Sequence, residues 1–162
     1  MPKGWARKHT ERIDAERWSW ILPRMEEGER PLERGEAWLV LPRGRMMAVV
    51  MLTHTTLYVC VVEDVGTIHQ PLIYQLRLRD ADELLMADNG MVVIQGISGS
   101  GERGSTVLDF IPNPLSWRFM VLLRDTYQTQ SGNEPRGNWS APPFDLKAQL
   151  RWTTNRDGYA GG

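Results

Sequence analysis

The sequence predicts a β-rich α+β domain in which a small antiparallel barrel or sandwich is capped by one C-terminal helix. The first observation is a series of short strand-like segments, separated by turn residues, that fills residues 37–111. The second is a single amphipathic helical segment at residues 113–128, directly after the last strand-like segment. A sheet buries one face and a helix one stripe, so this order predicts two packed sheets of about six or seven strands with the helix closing one end.

The helical segment carries signals for its start, its end and its buried face. Asn113 is a good N-cap, and Pro114 occupies the first helical position, where a missing N–H costs nothing. Gly132 can supply the positive φ that is common after a helix. The apolar stripe is predicted to comprise Leu115, Phe119, Leu122 and Thr126, widened by Val121 and Leu123.

The strand-like segments are recognised by β-branched and aromatic residues and by alternation of apolar with polar residues. Turn residues at 42–45, 54–55 and 88–90 separate them, and residues 98–104 form a glycine-rich connection. Residues 80–86 are ambiguous. The predicted strands are residues 37–41, 46–53, 56–62, 71–78, 91–95 and 105–111.

The two ends of the chain differ in composition from the strand-rich part. Residues 10–25 predict an N-terminal helix whose last turn is disturbed by Pro23, and the polar residues 24–35 predict a linker. The C-terminal residues are rich in Gly, Pro, Asn and Ser, with one apolar island at 144–152, which predicts an extended or disordered tail, or one held still by a neighbour. The chain therefore divides into an N-terminal helical arm and linker (1–35), a β domain with its capping helix (36–128) and a C-terminal tail (129–162).

Composition excludes several classes of function. A length of 162 residues suits one core, and a net charge of −1 supplies no basic field for nucleic acid. One cysteine, Cys60, forms no internal disulfide and no cysteine-based zinc site. The N-terminus lacks a signal-peptide segment and no apolar run is long enough to cross a bilayer, so we expect a cytoplasmic protein.

No motif predicts catalysis. Residues 99–104 match G-x-G-x-x-G, but a strand rather than a helix follows them, so the pattern favours a hairpin loop over a dinucleotide site. Residues 96–100 approach G-x-S-x-G without completing it. The histidines His9, His54 and His69 lack metal-ligand spacing. The sequence therefore predicts no enzyme, no cofactor and no metal site.

Large aromatic residues concentrate outside the predicted β domain. Such residues are candidate interface anchors, although they also pack on the domain that carries them. Acidic residues interrupt the basic face of the first helix, so membrane-surface binding is not favoured. The predicted partner-binding residues are Trp5, Trp18 and Trp20 in the N-terminal arm, and Trp139, Phe144 and Trp152 in the tail.

Two short passages resemble the pleckstrin-homology-like (PH-like) and GRAM-type superfamily. Residues 51–59 are similar to its leucine-threonine, turn, leucine-tyrosine hairpin, and residues 29–38 to its Gly-Glu entry into the first strand. The resemblance covers about residues 35–128. It implies a non-catalytic binding module of two packed sheets capped by a helix. In lipid-binding members a basic cluster at the first hairpin holds phosphates, and the matching residues are Arg43 and Arg45, with Arg34 where those members prefer lysine.

The sequence thus leaves three functions to compare. The leading hypothesis is a non-catalytic module that binds a protein partner or sister subunits through its Trp-bearing arms, as a component of a larger, for example viral, assembly. The alternative is a lipid-headgroup or phosphate-binding module that uses Arg43, Arg45 and Arg34. The third is an enzyme, which requires a deep pocket that gathers His54 or His69 with acidic residues.

Overall fold

The computed structural model describes residues 19–65, 68–97 and 103–140, and the side chains of 62–70 and 97 are not described. The described part contains seven strands and one long helix, with 3-10 turns at Leu22–Arg24 and Leu78–Asp80. The elements are β1 (Pro31–Leu41), β2 (Gly44–Thr53), β3 (Thr56–Val65), β4 (Ile68–Arg77), β5 (Ala81–Met86), β6 (Met91–Ile97), β7 (Arg103–Asp109) and α1 (Pro114–Ser131).

The strands form one antiparallel sheet in the order β4-β3-β2-β1-β7-β6-β5. Its two parts, β1–β4 and β5–β7, are joined only where β1 pairs with β7, at Trp38 with Asp109 and Leu39 with Leu108. Residues of both parts share one buried cluster, so the two parts face each other as a sandwich. Among the described strands, β4 and β5 are the two edges, and these seven strands do not close into a barrel. The predicted PH-like sandwich with a helical cap is confirmed, with seven strands.

Helix α1 has the predicted caps. The Asn113 side chain accepts a hydrogen bond from the Ser116 N–H at 3.0 Å. At the other end Gly132 has φ 74° and donates its N–H to the Gln128 carbonyl at 2.9 Å.

The buried face of α1 differs from the predicted stripe. Leu115 is 52% exposed, and Leu122 is only half-buried. Apolar residues nearly encircle the helix, so packing against the sheet, rather than spacing alone, selects the face that is buried. The buried residues are Ser116, Phe119, Met120, Val121, Leu123, Thr126 and Tyr127.

A second apolar cluster lies on the outer face of the β1–β4 part. Residues 19–21 are helical and lead into the 3-10 turn that contains Pro23. This segment covers the outer face, because Ile21 is fully buried with Tyr58 and Cys60 while Trp20 packs beside them. The first helix therefore ends near Pro23 as expected, and its predicted beginning lies outside the described residues.

The strands and the cap extend into both regions that the sequence assigns to linker and tail. β1 begins at Pro31, opposite Thr53 of β2, so residues 31–35 are strand. At the other end the chain returns along β5. The Met86 N–H donates to the Arg136 carbonyl at 2.8 Å and the Arg136 N–H to the Leu84 carbonyl at 2.8 Å. Residues 132–140 are therefore attached to the sandwich through their backbone.

Candidate functional site

The two arginines of the first hairpin have different surroundings. Arg43 lies in the two-residue turn between β1 and β2, is exposed, and makes no ion pair with any residue that the structure describes. Arg45 Nη1 lies 2.6 Å from Asp109 Oδ2, which ties the start of β2 to the end of β7. One of the two hairpin cations is thus already matched by a carboxylate.

Arg34 does not join that pair. It lies opposite Met51 in the β1–β2 register, whereas Arg45 lies opposite Val40. Residues 34 and 40 are about 20 Å apart along an extended strand. The structure therefore brings Arg43 and Arg45 together and leaves Arg34 at the other end of β1.

This geometry predicts little binding to anionic vesicles. A basic residue near an anionic membrane surface contributes about 1 kcal/mol, which is about fivefold in partitioning. We expect Arg43→Ala and Arg45→Ala to change flotation with phosphatidylserine or phosphoinositide vesicles by less than about twofold. Arg79→Ala, an exposed arginine away from the hairpin, is the matched control. A fivefold loss confined to the hairpin variants would instead support the anion site.

The predicted aromatic anchors fall in two groups. Trp20 and Trp139 are half-buried against their own domain, Trp20 on the outer-face cluster and Trp139 against the main core. The Arg124 guanidinium lies 5.4 Å from the Trp139 ring centroid, and the buried indole N–H has no acceptor among the described residues. Trp5, Trp18, Phe144 and Trp152 lie outside the described residues, so partner contact through the six residues stays a prediction.

A carboxylate that sequence reasoning missed fastens the N-terminal segment to the sandwich. Glu29 Oε1 accepts hydrogen bonds from Thr55 Oγ1 at 2.7 Å and Thr53 Oγ1 at 3.0 Å. Its Oε2 accepts from Tyr58 OH at 2.5 Å and from the Glu26 N–H at 2.9 Å. Three hydroxyl groups of the β2–β3 hairpin and one backbone N–H from the turn just before Glu29 thus donate to the same carboxylate.

These hydrogen bonds change the acidity of both partners. Burial alone would raise the pKa of Glu29, but the hydrogen bonds, led by those from Thr55 and Tyr58, outweigh it and lower the pKa from 4.5 to about 2. Burial, followed by the hydrogen bond to Glu29 and the charges of Glu29 and Glu26, raises the pKa of the Tyr58 hydroxyl well above its usual value. Glu29 is therefore ionised and Tyr58 protonated at neutral pH.

Two ion pairs add to these attachments. Arg77 of β4 pairs with Glu26, beside a small polar cavity of about 90 Å³. Arg118 Nε lies 2.6 Å from Glu33 Oε2 and links α1 to β1. The Arg118 N–H is not aligned for a hydrogen bond, so this contact is a charge attraction.

A larger groove of about 380 Å³ separates the first half of β1 from the start of α1. Two large apolar side chains flank it and are exposed, Ile111 at 56% and Leu115 at 52%. Gly35 permits the close packing at its base, since a Cβ there would lie 3.2 Å from the Phe119 ring. The lining residues are Arg34, Gly35, Glu36, Phe110, Ile111, Asn113, Leu115, Ser116 and Phe119.

Neither cavity gathers the groups that the enzyme hypothesis requires. No histidine, cysteine or lysine lines the groove or the small polar cavity. His54 is exposed at the β2–β3 turn, and the side chain of His69 is not described. Across the described ranges no three His, Cys, Asp or Glu side chains are placed to hold a metal ion, and no helix there combines the length and hydropathy needed to span a bilayer.

Comparison with known proteins gives a likeness of fold only. No protein-family model and no curated protein matches the sequence. Among solved structures, the hSac2 domain from human phosphoinositide phosphatase Sac2 is similar with a TM-score of 0.52 at 11% identity, covering 85% of this chain and 96% of that chain.

Two weaker structural matches contain DH/PH or exchange-factor chains. The PDZ-RhoGEF DH/PH domains in complex with activated RhoA have a TM-score of 0.45 at 14% identity, and inhibitor-bound Vav1 has 0.42 at 17%. They cover 63% and 75% of this chain, which spans only 30% and 34% of theirs. Similarity this low has no bearing on fold or function, so the PH-like architecture rests on the strand order and helical cap described above.

Proposed function

We propose that this chain is a non-catalytic PH-like interaction module, which binds a protein partner or sister subunits through aromatic arms at its two ends. The observation that carries the proposal is that both arms are fastened to the sandwich where they leave it. Glu29 and Ile21 hold the N-terminal arm, and the backbone of residues 136–139 holds the C-terminal arm along β5. Fixed exit points reduce the entropy that each arm loses on binding.

The arms carry the residue types that dominate interfaces. Trp5 and Trp18 precede the fastened N-terminal segment, while Phe144 and Trp152 follow the fastened C-terminal one. Buried aromatic anchors commonly supply most of the binding free energy at a protein interface. A cytoplasmic assembly is the setting we propose, and the absence of catalysis is part of the same proposal.

The proposal is tested by light scattering on the full chain and on paired aromatic variants. We expect the full chain to form an oligomer or to copurify with a partner, and Trp5→Ala with Trp18→Ala, or Phe144→Ala with Trp152→Ala, to weaken that association at least about tenfold. Leu32→Ala, which truncates an exposed apolar residue of strand β1, is the control. A monomeric chain without partner, unchanged in every variant, would contradict the proposal.

The lipid or phosphate function is less well supported. Its site would need several cations close together, and the structure separates Arg34 from the hairpin and pairs Arg45 with Asp109. Of these three arginines, only Arg43 is placed favourably for binding an anion. A single exposed arginine is an ordinary surface feature.

A further inference from the structure

The C-terminal segment after the described residues has a strand pattern. Over nine consecutive positions apolar and polar residues alternate strictly. This period of two predicts a β-strand with one apolar and one polar face. The apolar positions are Phe144, Leu146, Ala148, Leu150 and Trp152, and the polar ones are Asp145, Lys147, Gln149 and Arg151.

The described chain ends close to the β5–β6 turn. The Trp139 N–H donates to the Met86 carbonyl at 3.1 Å, and the Asp88 N–H donates to Asn138 Oδ1 at 3.0 Å. Residues 138 and 139 are thus held at the end of β5, and Ser140 leaves the domain from that point.

The same turn is bonded to the edge of the groove. The Phe110 N–H donates to the Gly90 carbonyl at 2.9 Å, and Gly90 has φ 95° and packs so closely on Phe110 that a Cβ would overlap its carbonyl oxygen. Phe110 and Ile111 line the groove. The described chain therefore ends at a turn that is hydrogen-bonded to the edge of the groove, and residues 141–143, two of them proline, span about 9 Å in an extended form.

The groove offers an apolar surface where a strand has ended. β7 pairs with β1 only at Trp38 and Leu39, so the first half of β1 continues past the end of β7 and forms one wall. Ile111 and Leu115 are both more than half exposed at the opposite wall. Exposed apolar side chains that line a concave cavity of this size are typical of a binding surface.

We propose that residues 144–152 of the same chain bind in this groove as an added strand. The apolar face, led by Phe144 and Leu146, contacts Ile111 and Leu115, and the polar face points to solvent. The short connection from Ser140 selects the same chain as the occupant, since its local concentration at the groove exceeds that of any other chain. This inference goes beyond the proposed function, because it states where the C-terminal arm lies before a partner binds.

Amide hydrogen exchange of the full chain tests the proposal. We expect the amides of residues 144–150 to exchange at least about tenfold more slowly than in an unstructured peptide, and Leu115→Asp to remove that protection. An acidic residue in the first turn of a helix is favourable, so this variant should keep α1 folded, as circular dichroism would verify. Leu22→Asp, at an equally exposed leucine away from the groove, should keep the protection.

Two further variants separate the possible occupants. Phe144→Asp with Leu146→Asp should abolish protection, whereas Asp145→Asn with Lys147→Gln, on the other face of the segment, should retain it. Mixing the Leu115→Asp protein with the Phe144→Asp, Leu146→Asp protein should restore no amide protection if each segment binds the groove of its own chain. Recovery of protection in the mixture would assign the groove to a second copy and overturn the proposal. Unprotected amides in the unchanged protein, or protection that survives Leu115→Asp, would overturn it as well.

Discussion

Replacing Phe119 with alanine is expected to lower the free energy of unfolding by about 3–5 kcal/mol. Phe119 is fully buried where α1 meets the sandwich, with its ring centroid 5.3 Å from that of Phe110. The ring also fills the space that Gly35 leaves open in β1. Its removal creates a cavity beside the only long helix of the described part. Because the total stability of a domain of this size is about 5–15 kcal/mol, the expected loss is a large fraction of it.

Urea denaturation followed by far-ultraviolet circular dichroism measures this loss. The midpoint should fall while the denaturant dependence of the free energy stays the same, because the same surface is exposed on unfolding. Leu22→Ala removes a similar side chain from an exposed site and should cost less than about 0.5 kcal/mol. Equal effects of the two variants would show that α1 does not cap the sandwich as described.

Replacing Glu29 with glutamine is expected to cost about 2–3 kcal/mol at neutral pH, because an amide cannot accept all the hydrogen bonds that now reach the carboxylate. Thr53, Thr55 and Tyr58 would each face a weaker acceptor or a competing donor. Glu26→Gln is the matched control, since that carboxylate is half exposed and pairs with Arg77 at the surface, where such pairs contribute less than about 1 kcal/mol.

The loss of stability caused by Glu29→Gln is expected to depend on pH. The folded pKa of Glu29 is about 2, below its ordinary value of 4.5, so its contribution is complete above pH 4.5 and is lost as the pH falls toward 2. The difference between wild type and Glu29→Gln should therefore be largest at neutral pH and shrink in acid. Chemical denaturation of both proteins at pH 7 and pH 3 measures it. A difference that stays constant with pH would mean that Glu29 is not held by these hydrogen bonds.

Much of the fold is encoded in local signals. Asn113, Pro114 and Gly132 mark the ends of α1 because capping depends on residues next to the helix itself. Alternation and turn residues locate the strands. Residues 80–86, whose sequence pattern is ambiguous, contain strand β5 because its partner β6 lies just beyond a short turn. The rotation of α1 could not be predicted, since it depends on which residues meet the sheet.

The attachments of the two ends could not be predicted from local sequence. Glu29 lies in a polar stretch that reads as linker, and its partners Thr53 and Tyr58 are far along the chain. The contact of residues 136–139 with β5 uses backbone groups, which leave no side-chain pattern. The arginine set rests on a family resemblance at the first hairpin, and the β1–β2 register shows that Arg34 lies far from that hairpin.

In the proposed function the arms, rather than the sandwich, make the contacts with other chains. Sedimentation equilibrium of the full chain and of residues 19–140 tests it most directly. We expect the full chain to associate, or to bind its partner, while the shortened chain stays folded and monomeric at every concentration. Association of residues 19–140 to the same extent as the full chain would contradict it.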